Sequence, residues 1–173
     1  MGILIGLLFV VVSCKKEQDN SIIYGYEYFP TNQGHYVVYD VEDIFHDVAL
    51  EPQHDTSNYQ IKEVIFESLI DEEGDSIQKI KRYYRLNDTL DWEIQDVWTQ
   101  KRTATTAEVV EENDRFIKMI FAIAYDRTWN CNALNNEDDL ECYYENIYLP
   151  YSVNGTLYDS TVIVEKENFT SFI

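Results

Sequence analysis

The stretch HYVVYDVED, residues 35–43, decides the fold, because apolar and polar side chains alternate along it. Val37, Tyr39 and Val41 fall on one face of an extended chain, and Asp40 and Glu42 fall on the other beside Val38. Successive side chains of a strand point to opposite faces, so this period of two is typical of a half-buried β-strand. The stretch therefore predicts a sheet with one face on a core and one face toward water.

The same alternation returns toward the C-terminus, in segments separated by turn residues. These segments are residues 64–70, 80–86, 92–98, 108–110, 115–121, 143–148 and 161–165. No stretch combines a sustained helical period with helix caps. We therefore expect an all-β domain, an antiparallel meander of about seven to nine strands. A half-barrel, a lipocalin-like barrel and a sandwich all remain open.

The N-terminal side carries an export signal. Residues 3–12 read ILIGLLFVVV, which is shorter than the ~20 residues of a membrane-spanning helix and fits a signal core of ~7–15 residues. The run ends at Ser13-Cys14 and switches at once to KKEQDN. Residues 11–14 resemble the lipobox of bacterial lipoproteins, which implies cleavage before Cys14 and acylation of its thiol. Acylation with two or three chains would anchor the protein stably in a membrane.

These features divide the chain into a signal sequence over residues 1–13, an acylated cysteine and polar tether over residues 14–21, and one β-rich domain over residues 22–173. Val11 stands where lipoboxes most often carry Leu, and no Lys or Arg precedes the apolar run. The missing basic region predicts a true start upstream of Met1. The apolar ending at residues 169–173 predicts that the chain is incomplete at its C-terminus. The alternative for the leader is a buried strand or helix that ends in an ordinary core cysteine.

The chain is strongly acidic, with 32 acids, 13 bases and a net charge of −19. Residues 1–13 carry no charged side chain, so the imbalance belongs to the mature domain. This charge repels phosphate backbones and disfavours nucleic-acid partners. Six bases lie in two neighbouring predicted strands, where cross-strand pairing with acids is the favoured role and an anion site the alternative. They are Lys79, Lys81, Arg82, Arg85, Lys101 and Arg102.

A family resemblance supports the lipoprotein interpretation. Residues 28–41, YFPTNQGHYVVYDV, resemble the opening of a group of uncharacterised Bacteroidota outer-membrane lipoproteins, and residues 129–132 and 150–155 resemble its later landmarks. The resemblance is spread over most of the mature chain. It implies a β fold anchored to the outer membrane, facing the periplasm or the cell surface. The group has no known activity, so the resemblance supplies no catalytic residues.

Signatures of common enzymes are missing from the sequence. It contains no GxSxG, HExxH, Gly-rich phosphate loop or CxxC pair, so we assign no catalytic residue, cofactor or metal ligand. His46-Asp47 and His54-Asp55 are interpreted as solvated loop residues, with metal ligation across a turn as the alternative. Residues 135–141 are an acidic loop with Ca²⁺ binding as the alternative, and residues 71–75 are a turn.

Cys131 and Cys142 are the two cysteines left once Cys14 carries lipid. Because export places them in an oxidising compartment, we expect a disulfide between them, with two free thiols as the alternative.

The sequence favours a non-enzymatic binding or structural module in the cell envelope. Its 14 tyrosines suit sheet packing, and a contact face for a glycan or a protein is the alternative use. A lipid-anchored hydrolase or glycan-processing enzyme that uses carboxylates is the second candidate function. The concave face of the sheet discriminates between the two functions, since converging acids or histidines favour an enzyme.

Overall fold

The computed structural model describes residues 23–47, 49, 51 and 54–167. The expected signal sequence, Cys14, the expected tether and residues 168–173 lie outside this part of the chain. The described residues form nine strands: β1 Tyr36–His46, β2 His54–Ile70, β3 Ser76–Arg85, β4 Glu93–Arg102, β5 Thr106–Glu111, β6 Asp114–Ile120, β7 Thr128–Asn130, β8 Glu141–Val153 and β9 Thr156–Glu167. A single 3₁₀ turn spans Tyr26–Tyr28. In the described residues no helix is long and apolar enough to cross a membrane.

Two antiparallel sheets make up the fold. The larger is a meander in the order β1-β2-β3-β4-β5-β6 that curves into a half-barrel, and the smaller has the order β7-β8-β9. The expected all-β meander and its half-barrel form are therefore confirmed. Two hairpins turn through adjacent residues with positive φ, Glu112-Asn113 and Asn154-Gly155. Such turns match the right-handed twist of the flanking strands.

The register of β2 differs from the expected alternation. Residues 64, 66, 68 and 70 were expected to share a face, but a bulge lies between Ile65 and Glu67. Val64 is opposite Lys81 and Ser68 is opposite Gln78, so the bulge places them on opposite faces of the sheet. An extra residue in one strand reverses the facing of every residue after it. Strand β7 was not predicted, because three residues are too few to show a period.

The main core lies where the small sheet packs against β5 and β6. Its buried residues are Ala107, Met119, Phe121, Ile123, Trp129, Cys131, Cys142, Tyr144 and Ile147. The rings of Trp129 and Tyr144 pack in a tilted arrangement with their centroids 4.9 Å apart, and the indole N–H of Trp129 donates to the carbonyl of Ile117 at 3.0 Å. The core thus joins the two sheets and leaves most of the concave face of the half-barrel outside it.

Candidate ligand-binding groove

A groove of about 530 Å³ runs along the concave face of the half-barrel. This volume falls within the range of small-molecule sites. Strands β1–β6 supply one wall, and the segment before β1 supplies the other. The lining residues are Tyr28, Phe29, Pro30, His35, Val37, Tyr39, Glu63, Ile65, Ile80, Trp98, Gln100, Val109, Glu111 and Lys118.

The strand register explains why residues far apart in sequence share the floor of the groove. Ile65 pairs with Ile80, and Ile80 pairs with Trp98 across β2, β3 and β4. One step along the sheet, Gln100 pairs with Val109 of β5. Directly paired residues project from the same face, so these side chains form one continuous surface.

The segment of residues 23–35, here called the strap, is held across this surface by hydrogen bonds. The side chain of Gln100 donates to the carbonyl of Pro30 at 2.7 Å. The guanidinium of Arg102 donates to the carbonyls of Tyr26 and Phe29 at 2.9 and 3.0 Å. Because the strap is bonded to β4, its aromatic residues have defined positions at the edge of the groove.

The carboxylates beside the groove are paired with cations. Glu63 accepts a hydrogen bond from Arg82 at 2.9 Å, and the Glu111 carboxylate lies 2.6 Å from the Lys118 ammonium. The Arg82 guanidinium also lies 3.7 Å from the centroid of the Trp98 ring. A pair of carboxyl groups that hydrolyses glycosides must face the substrate directly, whereas Glu63 and Glu111 are each in contact with a cation of the protein.

Two aromatic side chains of the groove have polar atoms in distinct surroundings. The indole N–H of Trp98 is buried and has no hydrogen-bond partner among the described residues. An unpaired buried donor is uncommon and costs free energy. Burial and the nearby Glu63 carboxylate raise the pKa of Tyr39, an effect that Arg82 opposes. The Tyr39 hydroxyl therefore stays protonated at neutral pH and can donate a hydrogen bond.

The expected turn at residues 71–75 binds a lysine. The carboxylates of Asp71, Glu73 and Asp75 converge to within 4.8 Å. The ammonium group of Lys101 lies 3.1, 3.0 and 2.6 Å from them. These contacts raise the pKa of Lys101. Lys101 of β4 thus supplies the positive charge that balances part of the negative charge of this turn.

The other five bases of the predicted pair of strands have different partners. Lys79 and Arg85 pair with acids, Arg82 pairs with two acids, Arg102 binds strap carbonyls, and the ammonium of Lys81 lies over the ring of Phe66. The expected cross-strand pairing with acids therefore holds for Lys79 and Arg82, whereas Arg85 pairs with an acid three residues after it.

Cys131 and Cys142 are joined by a disulfide, with their Cα atoms 6.0 Å apart. This is the pairing expected from the sequence. Both cysteines are buried in the core that joins the two sheets. The disulfide closes the acidic loop, which is also ordered internally where Asn130 donates to Asp139 at 2.6 Å and Asn132 donates to the carbonyl of Asp138 at 2.6 Å.

The structure also locates the three histidines. His46 and His54 are directly opposite one another at the end of the β1–β2 ladder, and His35 lines the groove. Cys14, the expected lipidation residue, lies outside the described residues.

Sequence analysis singled out Val37 and Tyr39 as one face of a strand but did not place them in a groove. Trp98 lies in the predicted segment 92–98, and Phe29 and Pro30 lie in the family-like stretch over residues 28–41. Alternation along the strands indicates that the sheet has two faces. The strap that closes the groove lies in a segment that shows no periodicity, so the sequence did not predict the groove.

Comparison of the chain with protein-family models, curated proteins and solved structures finds no match.

Proposed function

We propose that this chain is an exported, lipid-anchored envelope protein whose β domain binds a ligand without transforming it. The observation that carries the binding role is the concave-face groove, which combines aromatic side chains with the unpaired N–H of Trp98. An uncharged leader over residues 1–13, with an apolar run over residues 3–12, stands directly before Cys14 and supports export and anchoring.

A saccharide is the ligand class that suits the groove best. Sugars present flat patches of C–H groups that pack on aromatic rings, together with hydroxyls that accept and donate hydrogen bonds. Tyr28, Phe29, Tyr39 and Trp98 supply rings in the groove. The Tyr39 hydroxyl supplies a donor close to them. A pocket with many apolar contacts and few polar groups is the usual form of a small-ligand site.

The ion pairs around the groove support binding over hydrolysis. Glu63 and Glu111 are each held by a cation, so neither is arranged as a free proton donor. The second candidate, a carboxylate-based hydrolase, would require both pairs to open in the presence of substrate.

The binding role can be tested on a printed array of bacterial and host glycans with the mature chain labelled at its N-terminus. We expect a limited set of saccharides to bind and the Trp98→Ala variant to lose them. Trp92→Ala is the matched control, because Trp92 does not line the groove. Equal binding by the Trp98→Ala variant, or release of shortened saccharide by the wild-type protein, would contradict the proposal.

The anchoring role has a separate test. We expect the Cys14→Ser variant to move from the membrane pellet to the soluble periplasmic fraction, because the thiol is the acylation point. Ser13→Ala is the control, since it keeps a small residue before the cysteine. A Cys14→Ser protein that remains in the pellet at high salt would refute lipid anchoring and leave the binding role untouched.

A further inference from the structure

A histidine pair stands apart from the groove at the end of the β1–β2 hairpin. The ladder between the two strands runs without a register shift through eleven residue pairs, from Tyr36 opposite Val64 to His46 opposite His54. Both imidazoles are exposed. Their ring centroids are 4.5 Å apart, the rings are nearly perpendicular, and the two Nδ1 atoms are in direct contact.

Two imidazole nitrogens that face each other need a proton or a metal ion between their lone pairs. A neutral imidazole carries one N–H donor and one acceptor nitrogen, so an N–H of one ring can donate to the other ring. A transition-metal ion can replace that proton once the rings move apart to fit its bonds, because neutral imidazole is a preferred ligand of Zn²⁺, Cu²⁺ and Ni²⁺. The ladder brings the two nitrogens together before any ion binds, which lowers the entropic cost of binding.

We propose that His46 and His54 form a binding site for a divalent transition metal, with the two Nδ1 atoms as its protein ligands. The charge of −19 on the chain raises the concentration of cations near its surface. Zn²⁺ and Cu²⁺ are the ions this donor set favours, since Mg²⁺ and Ca²⁺ prefer oxygen ligands.

The aspartates that follow the two histidines, Asp47 and Asp55, are not placed as ligands of the same ion. Asp55 pairs with Phe45 in the ladder, so it projects from the face opposite to His54. The Asp47 carboxylate accepts a hydrogen bond from the backbone N–H of Ala49 at 2.8 Å and is engaged in the turn. Water completes the coordination, which leaves the ion open to a further ligand.

Isothermal titration of the folded chain with Zn²⁺ in excess Mg²⁺ tests this site, because Mg²⁺ occupies the carboxylates and leaves imidazole free. We expect one saturable site in the wild-type protein and loss of saturable binding in both His46→Ala and His54→Ala. His35→Ala is the matched control and should bind Zn²⁺ as the wild type does, since His35 lies in the groove.

Two further measurements separate loss of the metal ligands from loss of the fold. Circular dichroism should show the same strand content for all three variants, because the pair is exposed at a hairpin end. Electron paramagnetic resonance of the Cu²⁺ complex should show coupling to two nitrogens, reduced to one in each single variant. Unchanged Zn²⁺ binding in the His46→Ala/His54→Ala double variant, or the absence of nitrogen coupling to Cu²⁺ in the wild type, would overturn the proposal.

Discussion

The hydroxyl of Tyr144 in β8 forms two hydrogen bonds with the backbone of Ile120 in β6: it donates to the carbonyl at 2.6 Å and accepts from the N–H at 3.0 Å. Ile120 is the last residue of the half-barrel's sixth strand, and Tyr144 belongs to the small sheet. The Tyr144 side chain of the small sheet therefore supplies hydrogen-bond partners for the backbone at the end of β6 in the larger sheet.

The Tyr144→Phe substitution should destabilise the fold by about 1–3 kcal/mol, because it leaves two backbone groups of Ile120 without their partner. Urea unfolding followed by circular dichroism measures the change. Tyr125→Phe is the control: Tyr125 also accepts a backbone N–H bond, from Ile147 at 3.2 Å, but it is exposed. Equal losses of unfolding free energy in the two variants would show that burial of Tyr144 does not increase the contribution of its hydrogen bonds.

Alkaline pH should unfold the protein partly through Tyr144. Burial raises the pKa of this hydroxyl to about 12, against an ordinary value of 10.0. The unfolded chain releases the proton at lower pH than the folded chain, so the contribution to stability is present below pH 10 and is lost as the pH rises toward 12. The loss amounts to about 3 kcal/mol. The difference between wild-type and Tyr144→Phe unfolding free energies should shrink over this range. A difference that stays constant with pH would contradict the expectation.

Reduction of the disulfide between Cys131 and Cys142 should destabilise the fold. In the chain-entropy model, closing a loop of this size contributes about 3 kcal/mol. The double variant Cys131→Ala/Cys142→Ala should lower the melting temperature, and dithiothreitol should lower that of the wild type without affecting the variant. Recovery of both cysteines as free thiols from periplasmically expressed protein, by mass spectrometry, would show that the bond does not form in the cell.

Removal of the Lys101 ammonium should lower the stability of the fold at neutral pH, because this group pairs with the acidic turn at residues 71–75. The pKa of Asp71 is lowered, first by the backbone N–H of Asp75 and also by Lys101. A lowered carboxyl pKa stabilises the fold above its ordinary pKa, and that stability is lost as the pH falls. Lys101→Met should therefore lower stability at pH 7 and weaken its decline in acid, measured by urea unfolding across pH. Lys79→Met is the control because Lys79 pairs with one exposed acid, Glu67. Parallel pH profiles for wild type and Lys101→Met would refute the expectation.

Gly25 should resist substitution for a reason that Gly34 does not share. Both have positive φ, +80 and +87, so alanine costs about 1–2 kcal/mol at either position. A Cβ at Gly25 would overlap Cδ1 of the buried Ile123, whereas a Cβ at Gly34 meets no atom within 4 Å. Gly25→Ala should therefore cost about 1–3 kcal/mol more than Gly34→Ala. Thermal unfolding compares the two variants, and equal shifts would show that the strap moves away from Ile123 at no cost.

The amino-acid sequence determined the features of this protein that depend on near neighbours. Alternation over residues 35–43 identified a strand because side-chain direction follows from the extended backbone alone. The hairpin at Asn154-Gly155 was predictable because few residue pairs adopt positive φ in succession. The disulfide partners followed from a count of cysteines once Cys14 was set aside.

Only the tertiary structure decided the features that depend on register and on contacts between distant segments. The bulge after Ile65 reversed the facing of the rest of β2, because one extra residue costs little locally and no composition signals it. Lys101 reaches the acidic turn because β4 lies beside β3. The sequence alone does not identify this pairing, because it contains many other acids of similar chemistry. The groove exists because the strap crosses the half-barrel and bonds to Gln100 and Arg102, contacts that span 70 and 76 residues of the chain and that no periodic pattern records.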